Sequence, residues 1–150
     1  PTQTRHRSYR PGLACQPKLD NNPPFLLSDA SRHPNCAEMP DITSNVSFDT
    51  VAREWRCKWS GDNEKASLSA AQTLLEGVLA EVKAVPGVKS VQRVVCGGCL
   101  DFKVIVALDA AKFGEWEGKE FAPENDFLAK LGAIDGISRV ETQTFTLMTL

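Results

Sequence analysis

Long apolar runs are missing: no stretch approaches the roughly 18 residues that a membrane-spanning helix needs. Excess charge of either sign is missing too. Lys and Arg number 17 against 19 Asp and Glu, so no global field draws the chain to nucleic acid or an anionic membrane. Histidine is scarce. His6 and His33 are the two present, and neither lies in the last hundred residues, where imidazole acid–base or metal chemistry would need one. No phosphate-cradling glycine loop, carboxylate dyad or nucleophile–base couple stands out. Five cysteines in 150 residues are too few for a disulfide scaffold, and the odd count leaves at least one thiol unpaired within the chain.

What is present is the make-up of a globular domain, 42% hydrophobic and 24% charged, on a chain long enough for one real core. The chain divides unequally. Residues 1–47 hold seven of the nine prolines and no apolar periodicity, which predicts an extended arm without regular ladders. Its one apolar cluster, Phe25, Leu26 and Leu27 in "NNPPFLLSD", reads as a docking anchor, because Pro23 and Pro24 pre-extend the chain and reduce the entropy lost on binding. Arg5, Arg7, Arg10 and Lys18 precede the first acid, Asp20. Such an Arg-rich, acid-poor start predicts an organellar destination, plastid or mitochondrion.

Residues 48–150 contain a duplication. "LAEVKAVPGVKSV", Leu79 to Val91, aligns without gaps on "LAKLGAIDGISRV", Leu128 to Val140. Both copies read as a helix end, a turn with glycine (Gly87 or Gly136), then a strand. The glycines stand where a left-handed residue ends a helix. Around them, Val51, Trp55 and Cys57 alternate with Glu54, Arg56 and Lys58, the period of a strand. Leu68, Ala71, Leu75, Val78, Leu79, Val82 and Val85 form a helical stripe. "VKSVQRVV" and "LDFKVIVAL" read as strands joined by a two-residue turn at Gly97-Gly98. Pro123, Glu124 and Asp126 suit the first turn of a second helix, with Phe127, Leu128, Leu131 and Ile134 as its buried face. "RVETQTFTLMTL" closes the series. The order β-α-β-β-α-β predicts an α+β, ferredoxin-like sandwich: a four-stranded antiparallel sheet with two helices on one face.

A two-residue turn would set Cys96 opposite Cys99 and Val94 opposite Asp101. Leu100, Phe102, Val104 and Val106 would then face the helices. Val94, Cys96, Cys99, Asp101, Lys103 and Ile105 would face away, on a surface too mixed for solvent and too polar for a core. Protein atoms are expected to cover it, with Val94 and Ile105 as contacts.

"VKSVQRVVCGGCLDFKVIVAL" and "FLAKLGAIDGISRVETQTFTLM" resemble the ligand-sensing domain of leucine-responsive and asparagine-sensing regulators. More broadly, they resemble the dimeric α/β-barrel superfamily, over about residues 50–150. Gly98 and Asp101 match its G-x-x-D turn. The resemblance implies sheets packed face to face and an effector site near Gly98 and Asp101. The regulators' helix-turn-helix has no counterpart, which argues against DNA binding.

Cys96 and Cys99 admit three readings. They are structural thiols or a hairpin disulfide worth about 2 kcal/mol by loop entropy, a redox-sensitive pair, or half of a metal site. Zinc would need two more ligands. Cys57 is the nearest candidate, and parallel first and third strands would set it far along the sheet. Cys15 and Cys36 lie in the arm without completing a site. No metal or cofactor is therefore expected. Trp55, Trp59 and Trp116 read as core or interface anchors before ligand-stacking rings, and Asp101 as a turn acceptor before a base.

With no catalytic residue visible, the sequence predicts a non-catalytic structural or accessory subunit. Its arm and open sheet face would dock it onto a larger, organellar membrane complex or a second copy, with no nucleic acid and no membrane span of its own. The alternative is a small-molecule sensor or a cofactor-independent monooxygenase-like enzyme of the same superfamily.

Overall fold

The offset repeat becomes two helix–strand units in the computed structural model, which describes residues 40–150. These belong to a compact unit, Ala37–Leu150. Phe25, Leu26, Leu27, Cys15, Cys36, His6 and His33 lie outside the described residues.

A small exposed hairpin comes first, Asp41–Thr43 (β1) and Val46–Ser47 (β2). The sequence reading placed these residues in an arm without ladders. The Ser44-Asn45 turn is enough to pair them, with Asp41 opposite Ser47. Next come Thr50–Lys58 (β3), Ala66–Lys83 (α1), Val88–Cys96 (β4), Asp101–Asp109 (β5), Ala110–Glu117 (α2), Glu124–Gly132 (α3) and Ser138–Leu147 (β6). The main sheet has four strands in the order β4-β5-β3-β6. Every neighbouring pair is antiparallel. This is the ferredoxin-like α+β fold.

The two turn glycines are equivalent, as the repeat requires. Gly87 has φ +86° and Gly136 φ +84°, values that cost a side-chain-bearing residue free energy. Both sites are crowded as well. A Cβ on Gly87 would lie 2.5 Å from Lys112 Cβ, and one on Gly136 would lie 3.2 Å from the Cβ atoms of Ser60 and Ser67.

The core fills the space between sheet and helices. Trp55, Cys57, Phe102, Val104, Val106 and Leu108 meet Ala71, Leu75 and Val82 of α1, Phe113 and Trp116 of α2, and Phe127 and Leu131 of α3. Full burial of each large side chain contributes about 1.5–3 kcal/mol. The sequence reading missed α2. Its eight residues are too few for a clear apolar period, and Asp109 caps it by accepting from the Ala111 backbone N–H at 2.9 Å.

Two expectations about strand geometry are corrected. Cys96 pairs with Asp101 and Val94 with Lys103, so the turn comprises Gly97, Gly98, Cys99 and Leu100. A two-residue turn of the favoured type needs positive φ at its centre. Neither Gly97 nor Gly98 adopts it, and Leu100 does, at φ 57°. The register slips by two residues, an even number, so each strand residue keeps its expected face. Second, β3 and β5 are antiparallel, with Cys57 opposite Phe102. Cys57 therefore lies near the Cys96–Cys99 end of the sheet. It is separated from that pair by its face, since it points to the helices while Cys96 points away.

Candidate functional site

Arg53 breaks the pattern of β3. Its side chain shares the helix-facing side with Val51, Trp55 and Cys57, where an apolar residue is the rule. It is held there by a neighbour 71 positions away. Arg53 Nε donates to Glu124 Oε2 at 2.7 Å, and Nη2 donates to Glu124 Oε1 at 2.7 Å. This two-pronged pairing is the strongest geometry available to a guanidinium and a carboxylate. Trp55 Nε1 donates to Glu124 Oε2 at 2.6 Å. Thr144 and Thr142 of β6 accept from Arg53 Nη1 and Nη2 at 3.0 and 2.9 Å. Glu124 is 6% exposed. Its placement at the start of α3 was expected from the helix dipole, but its burial was not.

Aromatic rings surround the pair. The Arg53 guanidinium carbon lies 4.3 Å from the centre of the Phe121 ring, a cation–π contact. Phe121 lies 5.2 Å from Trp116, which lies 6.4 Å from Trp55, which lies 5.0 Å from Phe127. Phe113 closes the cluster 5.6 Å from Phe121. Trp116 Nε1 donates to the Ala122 carbonyl at 2.9 Å. Trp116, 3% exposed, lines the floor of a cleft of about 240 Å³ with Ala122, Val85, Pro86, Lys119 and Glu115.

Among the described residues, four Arg53 N–H bonds have acceptors, and a guanidinium has five. The fifth, on Nη1, is open to a further acceptor. The Glu124 carboxylate raises the already high pKa of Arg53, first through its hydrogen bonds and then through its charge, so the guanidinium is a permanent cation. Glu124 accepts three hydrogen bonds on its two oxygens, which suits it to positioning Arg53. The sequence signal for this site was an arginine on the apolar side of a strand, next to a Trp two residues on.

Trp55 and Trp116 apart, the residues singled out from the sequence for ligand, redox or partner roles lie elsewhere, on and beside the open face. Asp101 is paired with Lys58 at 2.6 Å. The Lys58 hydrogen bond, helped by the charges of Lys58, Lys103 and Arg56, holds its carboxyl below the usual range. Gly98 is exposed in the turn, with nothing within 4 Å of where a Cβ would stand. Val94 is exposed and Ile105 half-buried, and both share the open face with Lys103. Glu54 lies opposite Ile105 at the centre of that face and is 3% exposed. Arg56 and Lys103 each stand 3.7 Å from its Oε1, which accepts no hydrogen bond. Cys96 and Cys99 form a disulfide with Cα atoms 5.6 Å apart. Among the described residues no group of three or more His, Cys, Asp or Glu could hold a metal ion, and no helix is long and apolar enough to cross a membrane.

No protein-family model matches the sequence, and no curated relative matches it. Solved structures do. A monooxygenase from the gene ActVA-Orf6 of Streptomyces coelicolor, in complex with nanaomycin D, superposes with a TM-score of 0.53 at 14% identity, over 69% of this chain and 90% of that one. Rv0793 of Mycobacterium tuberculosis gives 0.49 at 17% identity, over 67% of this chain and 97% of that one. SnoaB, a cofactor-independent oxygenase of Streptomyces nogalater, gives 0.46 at 18% identity, over 68% and 96%. The Streptomyces coelicolor match supports the ferredoxin-like α+β fold. The expectation of a non-catalytic accessory subunit of a larger complex is corrected here: the neighbour that superposes best of these three is a monooxygenase, matched over nine-tenths of its length.

Proposed function

We propose that this chain is a small oxygenase-type enzyme that needs no bound cofactor, acts on a planar phenol or hydroquinone, and works as a pair of copies joined through the open sheet faces. The observation that carries this reading is the Arg53–Glu124 pair held among aromatic rings between sheet and helices. Such a pair is poorly explained by stability. Replacing a buried ion pair by well-packed apolar residues is often neutral or stabilising. Retaining it makes sense if a fixed cation is needed in an aromatic environment.

The fifth N–H of Arg53 would hold a substrate oxygen as its proton passes to water, and the half-buried ring of Phe121 would stack on the substrate plane, backed by Trp116 and Phe113. The chemistry balances without an external reductant when the substrate supplies the electrons: the ring C–H of a phenol, a CH2 in its keto tautomer, and O2 give the C=O of a quinone and water. The Streptomyces coelicolor monooxygenase, described in complex with the ligand nanaomycin D, supports a small organic molecule as substrate. A second copy across the open face would cover Val94, Ile105 and Glu54.

The test is a titration of planar phenols and hydroquinones against tryptophan fluorescence, followed by oxygen uptake. Quenching with uptake is expected, and Trp116→Leu should weaken both. Quenching without uptake would favour a sensor, and neither response from the native chain would overturn the proposal.

A further inference from the structure

The fold treats its three described cysteines in opposite ways. Cys57 is 1% exposed among the helix-facing residues. Burial first, and the Asp101 charge second, push its thiol up to about 11, so it stays protonated and unreactive at neutral pH. Cys96 and Cys99 sit at the β4–β5 turn, Cys96 half-buried and Cys99 exposed. The backbone N–H of Cys99 points at Cys96 Sγ from 3.2 Å. Asp101 Oδ2 lies 3.1 Å from Cys99 Sγ. An N–H donor favours a thiolate, and a neighbouring carboxylate opposes one. The two sulfurs are therefore unequal: Cys96 is the better leaving group and Cys99 the more accessible target.

We propose that Cys96 and Cys99 form a reversible dithiol–disulfide exchange site for small thiols. Cys99 meets the external thiol and Cys96 departs as the thiolate. An external thiolate attacks Cys99 Sγ, the bond to Cys96 Sγ breaks, and Cys96 takes the electron pair. A second thiolate then attacks the external sulfur of the mixed disulfide. The external disulfide leaves, and Cys99 takes the electron pair and then a proton from water. Two external thiols are oxidised and one protein disulfide is reduced; an external disulfide drives the reverse.

The turn is held independently of the bridge, as such a site requires. Lys58 Nζ donates to the Cys99 carbonyl at 2.8 Å and pairs with Asp101. The Trp59 N–H donates to the Leu100 carbonyl at 3.0 Å. Both redox states can therefore keep the same sheet. Cys57 cannot intrude, because it lies on the other face. This inference does not depend on the oxygenase reading.

The test uses the full chain with Cys15→Ser and Cys36→Ser, equilibrated at a series of reduced-to-oxidised glutathione ratios, acid-quenched, alkylated and mapped by mass spectrometry. The Cys96–Cys99 pair should interconvert completely across the series, with Cys57 unlabelled until denaturation and near-ultraviolet circular dichroism unchanged. Bridged protein quenched seconds after glutathione is added should carry the adduct on Cys99 at least tenfold more than on Cys96. A pair that stays bridged, or stays reduced, at every ratio would overturn the proposal. So would an adduct shared equally between the two sulfurs, or loss of tertiary structure on reduction.

Discussion

Trp55 Nε1 reaches Glu124 Oε2 at 2.6 Å, on the same oxygen that Arg53 Nε grips at 2.7 Å. One carboxylate at the start of α3 thereby fixes two successive helix-facing side chains of β3. The helix, the central strand and the aromatic cluster are tied at a single buried point.

Glu124→Gln should therefore be costly. It leaves the Arg53 guanidinium, whose side chain is 15% exposed, without its counter-charge. We expect a loss of roughly 3–5 kcal/mol in denaturant unfolding. The paired change Arg53→Leu with Glu124→Leu should cost much less than the sum of the two single changes, because no buried charge is left alone. Additive costs would show that the two groups are not coupled.

Gly87→Ala combines a left-handed backbone with a clash against Lys112 Cβ at 2.5 Å. A loss of about 1–3 kcal/mol is expected. Gly97→Ala has open space and no positive φ, so its melting temperature should stay near that of the native chain. Equal effects at both positions would argue against the turn geometry.

Asp101 titrates below the usual carboxylate range because of Lys58. A depressed folded pKa means that the unfolded chain binds more protons in acid. The Asp101–Lys58 contribution should thus be present above the ordinary carboxylate pKa and fade as pH falls through the folded one. Asp101→Asn should flatten that part of the acid unfolding curve, as followed by circular dichroism. An unchanged acid limb would count against the pair.

Cys57 predicts the opposite limb. Its folded pKa of about 11 stands above the ordinary 9.0. As pH rises from 9 towards 11, the unfolded chain loses this proton while the folded chain keeps it. Stability should therefore fall over that interval, and Cys57→Ala should remove that component of the slope. Rapid labelling of Cys57 in the native protein at pH 8 would contradict its burial.

Ile105→Glu tests the open face. It would place a second carboxylate opposite Glu54, whose Oε1 already lacks a donor. If a second copy covers this face, sedimentation should show the pair dissociating into single chains. A pair that persists unchanged would show that the copies meet elsewhere.

Much of the fold was legible in short-range pattern. The period of two in Val51–Lys58, the stripe from Leu68 to Val85 and the two glycines spaced by the repeat are local properties of the chain. They fix which strand residues face the helices and where α1 and α3 must end. Even the misplaced β4–β5 turn left every strand residue on its expected face, because the slip was an even number of residues. Only the tertiary structure decided that Glu124 meets Arg53 and Trp55, that Cys57 and Cys96 face opposite sides of the sheet from strands with β5 between them, and that Asp101 is held by Lys58. The contacts of Glu124 and Asp101 join residues 43 to 71 positions apart. Periodicity says which way a side chain points, but the partner it meets depends on strand order, strand direction and the placement of a whole helix, none of which a local pattern carries.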